Sequence, residues 1–262
     1  MRLYQDCDRG TLGEDRAAGK AFKIAKTFSD WFTILEMSDV ESDVAKHAIA
    51  RLQNLAQNFD EWRQLFEHIK TNSSFADLVA TCKQSLLLKA DRLEDWLYIY
   101  QNTPVDSTEK NKAQEEIVRL AQSDDDWDTA TNDLPDKDPL NRKRLEWRLE
   151  KADNIETLET IYDELSENDP LVPAIINKLK TRTDELSEWI ESYNNRTSKD
   201  AFDEALFAKM LSLAKTPDDY IAVMEAAQNC HDDDAKQVLD QLQGVTWSKE
   251  QWEKLRDDAP DE

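Results

Sequence analysis

Six of the eight tryptophans in this chain, Trp31, Trp62, Trp96, Trp127, Trp189 and Trp252, are separated by 31, 34, 31, 62 and 63 residues, a period of about 31. A unit that short cannot bury its own apolar faces, so a chain built from it must stack like units on one another. Leu158 and Tyr220 fill the two vacant places of the column. Six residues before each member stands a small residue: Ala25, Ala56, Ala90, Ala121, Ala152, Thr183, Ala214 and Thr246. Three and four residues after it come Ile34/Leu35, Leu65/Phe66, Ile99/Tyr100, Ile161/Tyr162 and Val223/Met224, with Ala130/Thr131 and Ser192/Tyr193 as weaker copies. That is the stripe of an amphipathic helix.

A second stripe precedes the small residue, as in Ala48, Leu52, Leu55 or Ala113, Ile117, Leu120 or Leu206, Met210, Leu213, so each unit reads as two short helices. Between them lie Thr27 to Asp30, Asn58 to Glu61, Ser123 to Asp126, Thr216 to Asp219 and Ser248 to Gln251, the spacing of a capping box, with the tryptophan column at the fourth helical position. Asn154 keeps a looser version; Arg92 and Glu185 lose the capping oxygen, while Asp95 and Glu188 keep the acid. The return connections are expected to open helices at Ser38, Thr103, Asp138, Asp169 and Thr197 to Asp200, with Pro139 and Pro170 suited to a first helical position. A longer loop near Lys70 to Ser74 accounts for the single 34-residue step.

The pattern resembles the αα-hairpin solenoids, the TPR, HEAT and armadillo class. The resemblance lies in architecture alone: the unit is shorter than a TPR or HEAT repeat, the W-x₂-L-G-x₂-Y pattern is absent and no named family fits. It implies an all-α superhelix of about seven to eight helix pairs and a bias toward protein binding, with no site to carry over. The expected organisation is an N-terminal segment over 1–18, frayed or forming a partial cap, one helical repeat domain over 19–256, and an acidic tail over 257–262.

Composition removes whole classes of function. The four glycines stand at 10, 13, 19 and 244, so nothing between can form a Walker loop, a GxGxxG turn or a GxSxG elbow. Cys7, Cys82 and Cys230 are far apart and form no CxxC, against a disulfide framework or a cysteine zinc site. No apolar run reaches membrane-spanning length, and the first twenty residues are too polar for a signal peptide, so a cytoplasmic protein is expected. Fifty-six acids against 33 bases leave a charge of −23, which repels phosphate and argues against direct nucleic-acid binding. Eight Trp, six Tyr and eight Phe argue equally against a disordered acidic chain. Fourteen of the acids fall in the eight segments that open second helices, where they complement the helix dipole.

Few residues stand out as candidate sites. The column Trp31, Trp62, Trp96, Trp127, Leu158, Trp189, Tyr220 and Trp252 reads as repeat core rather than a stacking ladder for ligands. Arg142, Lys143, Arg144, Arg148 and Lys151 form a basic island, read either as neutralising neighbouring carboxylates or as a docking point for an acidic partner. Lys180 and Arg182 occupy positions that are apolar elsewhere. His47, His68 and His231 share no catalytic or metal spacing and read as surface or half-buried helix residues. The run Cys230 to Asp234 carries ligand types for a divalent cation but falls where a helix starts; Asp124 to Asp126 reads as capping. No catalytic residue, cofactor or metal is assigned. The expected function is a non-catalytic scaffold that binds a basic peptide or protein in an acidic groove. The alternatives are an acidic antagonist that mimics nucleic acid toward a basic protein, and an enzyme on a helical-repeat scaffold.

Overall fold

A computed structural model describes residues 19–196, 199–230, 234–235, 237–238, 248–250 and 253. Among them the regular elements are all helical, so the chain is all-α as expected. No helix among the described residues is long and apolar enough to cross a membrane. The chain divides into two compact units, one up to Leu134 and one from Pro135. A helical stretch over 19–24 precedes, in the first unit, α1 (Phe28–Met37), α2 (Asp43–Leu55), α3 (Phe59–Ile69), α4 (Ala76–Lys89), α5 (Leu93–Asn102), α6 (Thr108–Leu120) and α7 (Asp124–Thr131). The second unit holds α8 (Pro139–Lys151), α9 (Ile155–Asp163), α10 (Val172–Lys180), α11 (Leu186–Asn194), α12 (Ala201–Leu213) and α13 (Pro217–Cys230).

Trp31, Trp62, Trp96, Trp127, Leu158, Trp189 and Tyr220 each take the fourth position of their helix. All are buried except Tyr220, which packs partly buried against the core of the second unit. Six of the seven are thus buried side chains, and Trp252 lies outside the described residues. The residues three and four places on are buried as well, apart from the half-buried Ser192.

The corner between the two helices explains the missing glycines. α2, α4, α6, α8 and α12 end at Ala56, Ala90, Ala121, Ala152 and Ala214, which leave the helix with ψ between 104 and 123 while their amides still bond the carbonyl four residues back. An extended cap needs no left-handed residue, unlike the common glycine-capped ending. The acid of the next helix then bonds two amides of the corner: Asp30 takes Lys26 and Thr27, Glu61 takes Gln57 and Asn58, Asp126 takes Gln122 and Ser123, Asp219 takes Lys215 and Thr216. The side-chain oxygens of Thr27, Asn58, Ser123 and Thr216 in turn accept the acid's own amide N–H. At Arg92, Asp95 does this alone, from the amides of Asp91 and Arg92.

The return connections differ from expectation at two places. Ser38 and Thr103 do not open helices; their hydroxyls donate back to the carbonyls of Ile34 and Ile99 and close α1 and α5. The caps are Ser42 and Ser107, four residues later. Asp138 caps as expected, whereas Asp169 bonds the amide of Leu171 and α10 begins only at Val172; in the stretch Thr197 to Asp200 the cap is its last residue, Asp200, and α12 begins at Ala201. Thr197 and Ser198 lie outside the described residues.

Column helices pack on the helix that follows them, α1 on α2, α3 on α4, α5 on α6, α9 on α10 and α11 on α12. In the second unit like helices also lie against like: α9 on α11, α11 on α13, and α10 on α12. Lys178 and Lys209, one period apart, each donate to carbonyls at the end of the preceding like helix, of Leu149 and Glu150 and of Lys180 respectively. A cation there complements the negative end of the helix dipole.

Candidate functional site

The faces of α9 and α11 that the core does not use meet along a cleft of about 430 Å³ in the second unit. α9 contributes Glu156 and Glu159, α11 contributes Glu188 and Glu191, and the connection before α11 contributes Asp184; no basic residue lines it. Two of these carboxylates are matched from within. Arg182 meets Asp184 through both arms, Nε and Nη2, at 2.5 Å each, and these bonds hold the Asp184 carboxyl below its usual range. The Asp184 carbonyl also accepts the Trp189 indole N–H at 3.2 Å, which ties the cleft wall to the core column.

Glu159 is matched by Arg196, whose side chain is only 6% exposed. The guanidinium donates through Nε to Asp203 at 2.5 Å, through Nη2 to Asp200 at 2.8 Å, and through Nη1 to Glu159 at 3.1 Å and Asp163 at 3.3 Å. It lies over the rings of Phe202 and Tyr162 at 4.9 and 5.6 Å. Burial works against the Arg196 charge, but Asp203, Asp200 and Asp163 outweigh it and push its pKa up. Burial raises the Asp203 carboxyl above its usual range despite Arg196. Burial acts the same way on Asp200, yet the amide of Asp203 and the charge of Arg196 hold that carboxyl low.

The side chains of Glu156, Glu188 and Glu191 accept no hydrogen bond from, and form no ion pair with, any described residue; Glu156 and Glu188 stand in the first turns of α9 and α11, and the charge of Glu188 is among those that raise Arg182. Among the described residues no three His, Cys, Asp or Glu side chains are grouped closely enough to hold a metal ion. The cleft's carboxylates are spread along two helices and the connection before α11.

The basic island falls on α8, facing carboxylates of its own unit. Arg142 pairs with Asp169 and with Glu146 at 3.5 Å, and Lys143 pairs with Glu146 at 2.8 Å. Arg144 and Arg148 share Glu164, the latter at 2.7 Å. Lys151 is exposed and pairs with no described residue. His47 stacks on Phe22 at 4.7 Å, and half-buried His68 meets Phe32 edge-on, its pKa lowered by burial. Of the run Cys230 to Asp234, buried Asp234 accepts Tyr193 Oη at 2.7 Å and Lys199 Nζ at 2.9 Å; the Cys230 side chain and 231–233 lie outside the described residues. Asp126 is a capping carboxylate, as expected.

Neither Arg196 nor its partners stand out in a search for catalytic or metal spacing. The signal that could find Arg196 is the column itself: seven residues after each column member stand Ser38, Ile69, Thr103, Leu134, Leu165, Arg196 and Ala227, and Arg196 is the one charge. No protein-family model, no curated protein and no solved structure matches this chain.

Proposed function

We propose that this chain is a non-catalytic interaction scaffold, its helix pairs stacked as a superhelix, which holds a lysine- or arginine-rich peptide or protein surface against the cleft between α9 and α11. The observation that carries this reading is the trio Glu156, Glu188 and Glu191, whose side chains form no ion pair with any described residue, in a cleft whose other two carboxylates are paired with Arg182 and Arg196. Three like charges shared between the two walls of one cleft raise the local potential, favour a cationic partner and speed its approach. The packing of like helices on like in the second unit supports the superhelix. The α8 cations are assigned to holding α8 against the connection that follows α9, and the docking role goes to the cleft. A cytoplasmic location belongs to the same proposal.

Titration calorimetry with a short oligolysine peptide tests it. Glu156→Gln, Glu188→Gln and Glu191→Gln together are expected to remove binding, while Glu94→Gln, Glu115→Gln and Asp125→Asn, an equal change of charge on exposed first-unit residues, leave it in place. Equal losses in both triples would mean that total charge, not the cleft, attracts the peptide. The overall charge of −23 favours a second reading, a stoichiometric antagonist of one basic protein. That reading predicts a one-to-one complex whose affinity falls steeply with salt.

A further inference from the structure

Arg196 has more acceptors than it needs. A buried cation must be paired, and Asp203 and Asp200, both at the start of α12, already give it two charge-assisted bonds at 2.5 and 2.8 Å. Glu159 and Asp163 add two longer ones from α9, at 3.1 and 3.3 Å. Of the four, Glu159 alone also lines the acidic cleft. Its carboxylate therefore faces two ways, toward the internal guanidinium and toward whatever enters the cleft. On the opposite wall Arg182 holds Asp184 in the same fashion. The molecule thus already seats a guanidinium on each wall, which is the chemistry proposed for the partner.

The geometry points to Arg196 as the residue that sets which carboxylates of the cleft a cationic partner can use, by holding Glu159 in an internal ion pair. This rests on the proposed reading of the cleft and adds a specificity determinant to it. Replacing Arg196 alone would strand Asp203, whose side chain is 2% exposed, so the informative variant removes both charges together. Arg196→Gln with Asp203→Asn leaves the net charge of the protein unchanged and frees Glu159. A residue that merely supports the fold would, when lost, weaken binding. Loss of a residue that withholds Glu159 strengthens it.

The experiment titrates the full chain with the same oligolysine peptide at low and at raised salt, with circular dichroism to establish folding of each variant. The double variant is expected to bind about two- to fivefold tighter than the parent, the range of one solvent-accessible ion pair, and with a steeper salt dependence. Adding Glu159→Gln is expected to cancel that gain. In the parent background, Glu159→Gln is expected to weaken binding less than Glu188→Gln does. A folded double variant that binds no tighter, or a Glu159→Gln loss equal to that of Glu188→Gln, overturns the proposal and leaves the cleft reading standing. Should the double variant not fold, the comparison of the two single glutamine variants decides alone. If neither Glu188→Gln nor Glu191→Gln weakens binding, the cleft reading falls and the role of Arg196 falls with it.

Discussion

At the scale of the residue, Arg196 shows how a single position can depart from the rule that builds its neighbours. Its column is otherwise small, hydroxylic or apolar, and Leu165, one period earlier, suggests that leucine would fit. Arg196→Leu is nevertheless expected to destabilise the second unit by about 3–5 kcal/mol, because it leaves Asp203 charged, buried and without its cation. Urea unfolding followed by circular dichroism measures that loss. Cys82 is a simpler case. It is wholly buried in α4, and burial pushes its thiol up to about 12. In a chain carrying Cys7→Ser and Cys230→Ser, Cys82 is expected to resist alkylation at neutral pH and to react on unfolding; rapid labelling of the native protein would contradict its burial.

At the scale of the element, stability rests on corners that repeat. Ser123→Ala removes the oxygen that accepts the Asp126 amide and is expected to cost about 1 kcal/mol, seen as a lower urea midpoint. The corner carboxylates also set a pH dependence. Asp30, Asp126 and Asp219 are held below the ordinary aspartate value of 3.8, first by the amides of Lys26, Gln122 and Lys215 and then by neighbouring bonds. A carboxyl lowered in the folded state stabilises it above the unfolded value, and that stability is lost as the pH falls through the folded value. Asp203, raised by burial, has the opposite sign: its contribution is present at low pH and lost as the pH rises through its folded value. Thermal unfolding is thus expected to show a steep loss below about pH 4. Asp126→Asn should flatten part of that loss, whereas Asp203→Asn should not. The helices themselves were legible in sequence because caps and i, i+3, i+4 stripes are local. Ser38 and Thr103 misled because a hydroxyl can close one helix as readily as it opens the next, and the choice depends on which carbonyl lies within reach.

At the scale of the whole molecule, the charge of −23 opposes compaction through self-repulsion. The melting temperature is expected to rise as sodium chloride is added from about 0.01 M to about 0.15 M, where the screening length falls from about 30 to about 8 Å. A flat response would mean that internal pairs such as those on α8 already absorb the repulsion. The amino-acid sequence by itself determined the helical class, the period, the buried column and the glycine-free corners, since each of these follows from contacts within a few residues, repeated until the pattern exceeds chance. Only the tertiary structure decided which charges meet. Arg196 finds Glu159 and Asp163 on α9, more than thirty residues back, and the cleft arises where α9 and α11 leave their outer faces side by side. In a chain with 56 acids, sequence spacing cannot single out a pair. The reach of one side chain across packed helices can, because an ion pair falls away within a few ångströms while a helical stripe survives small displacements.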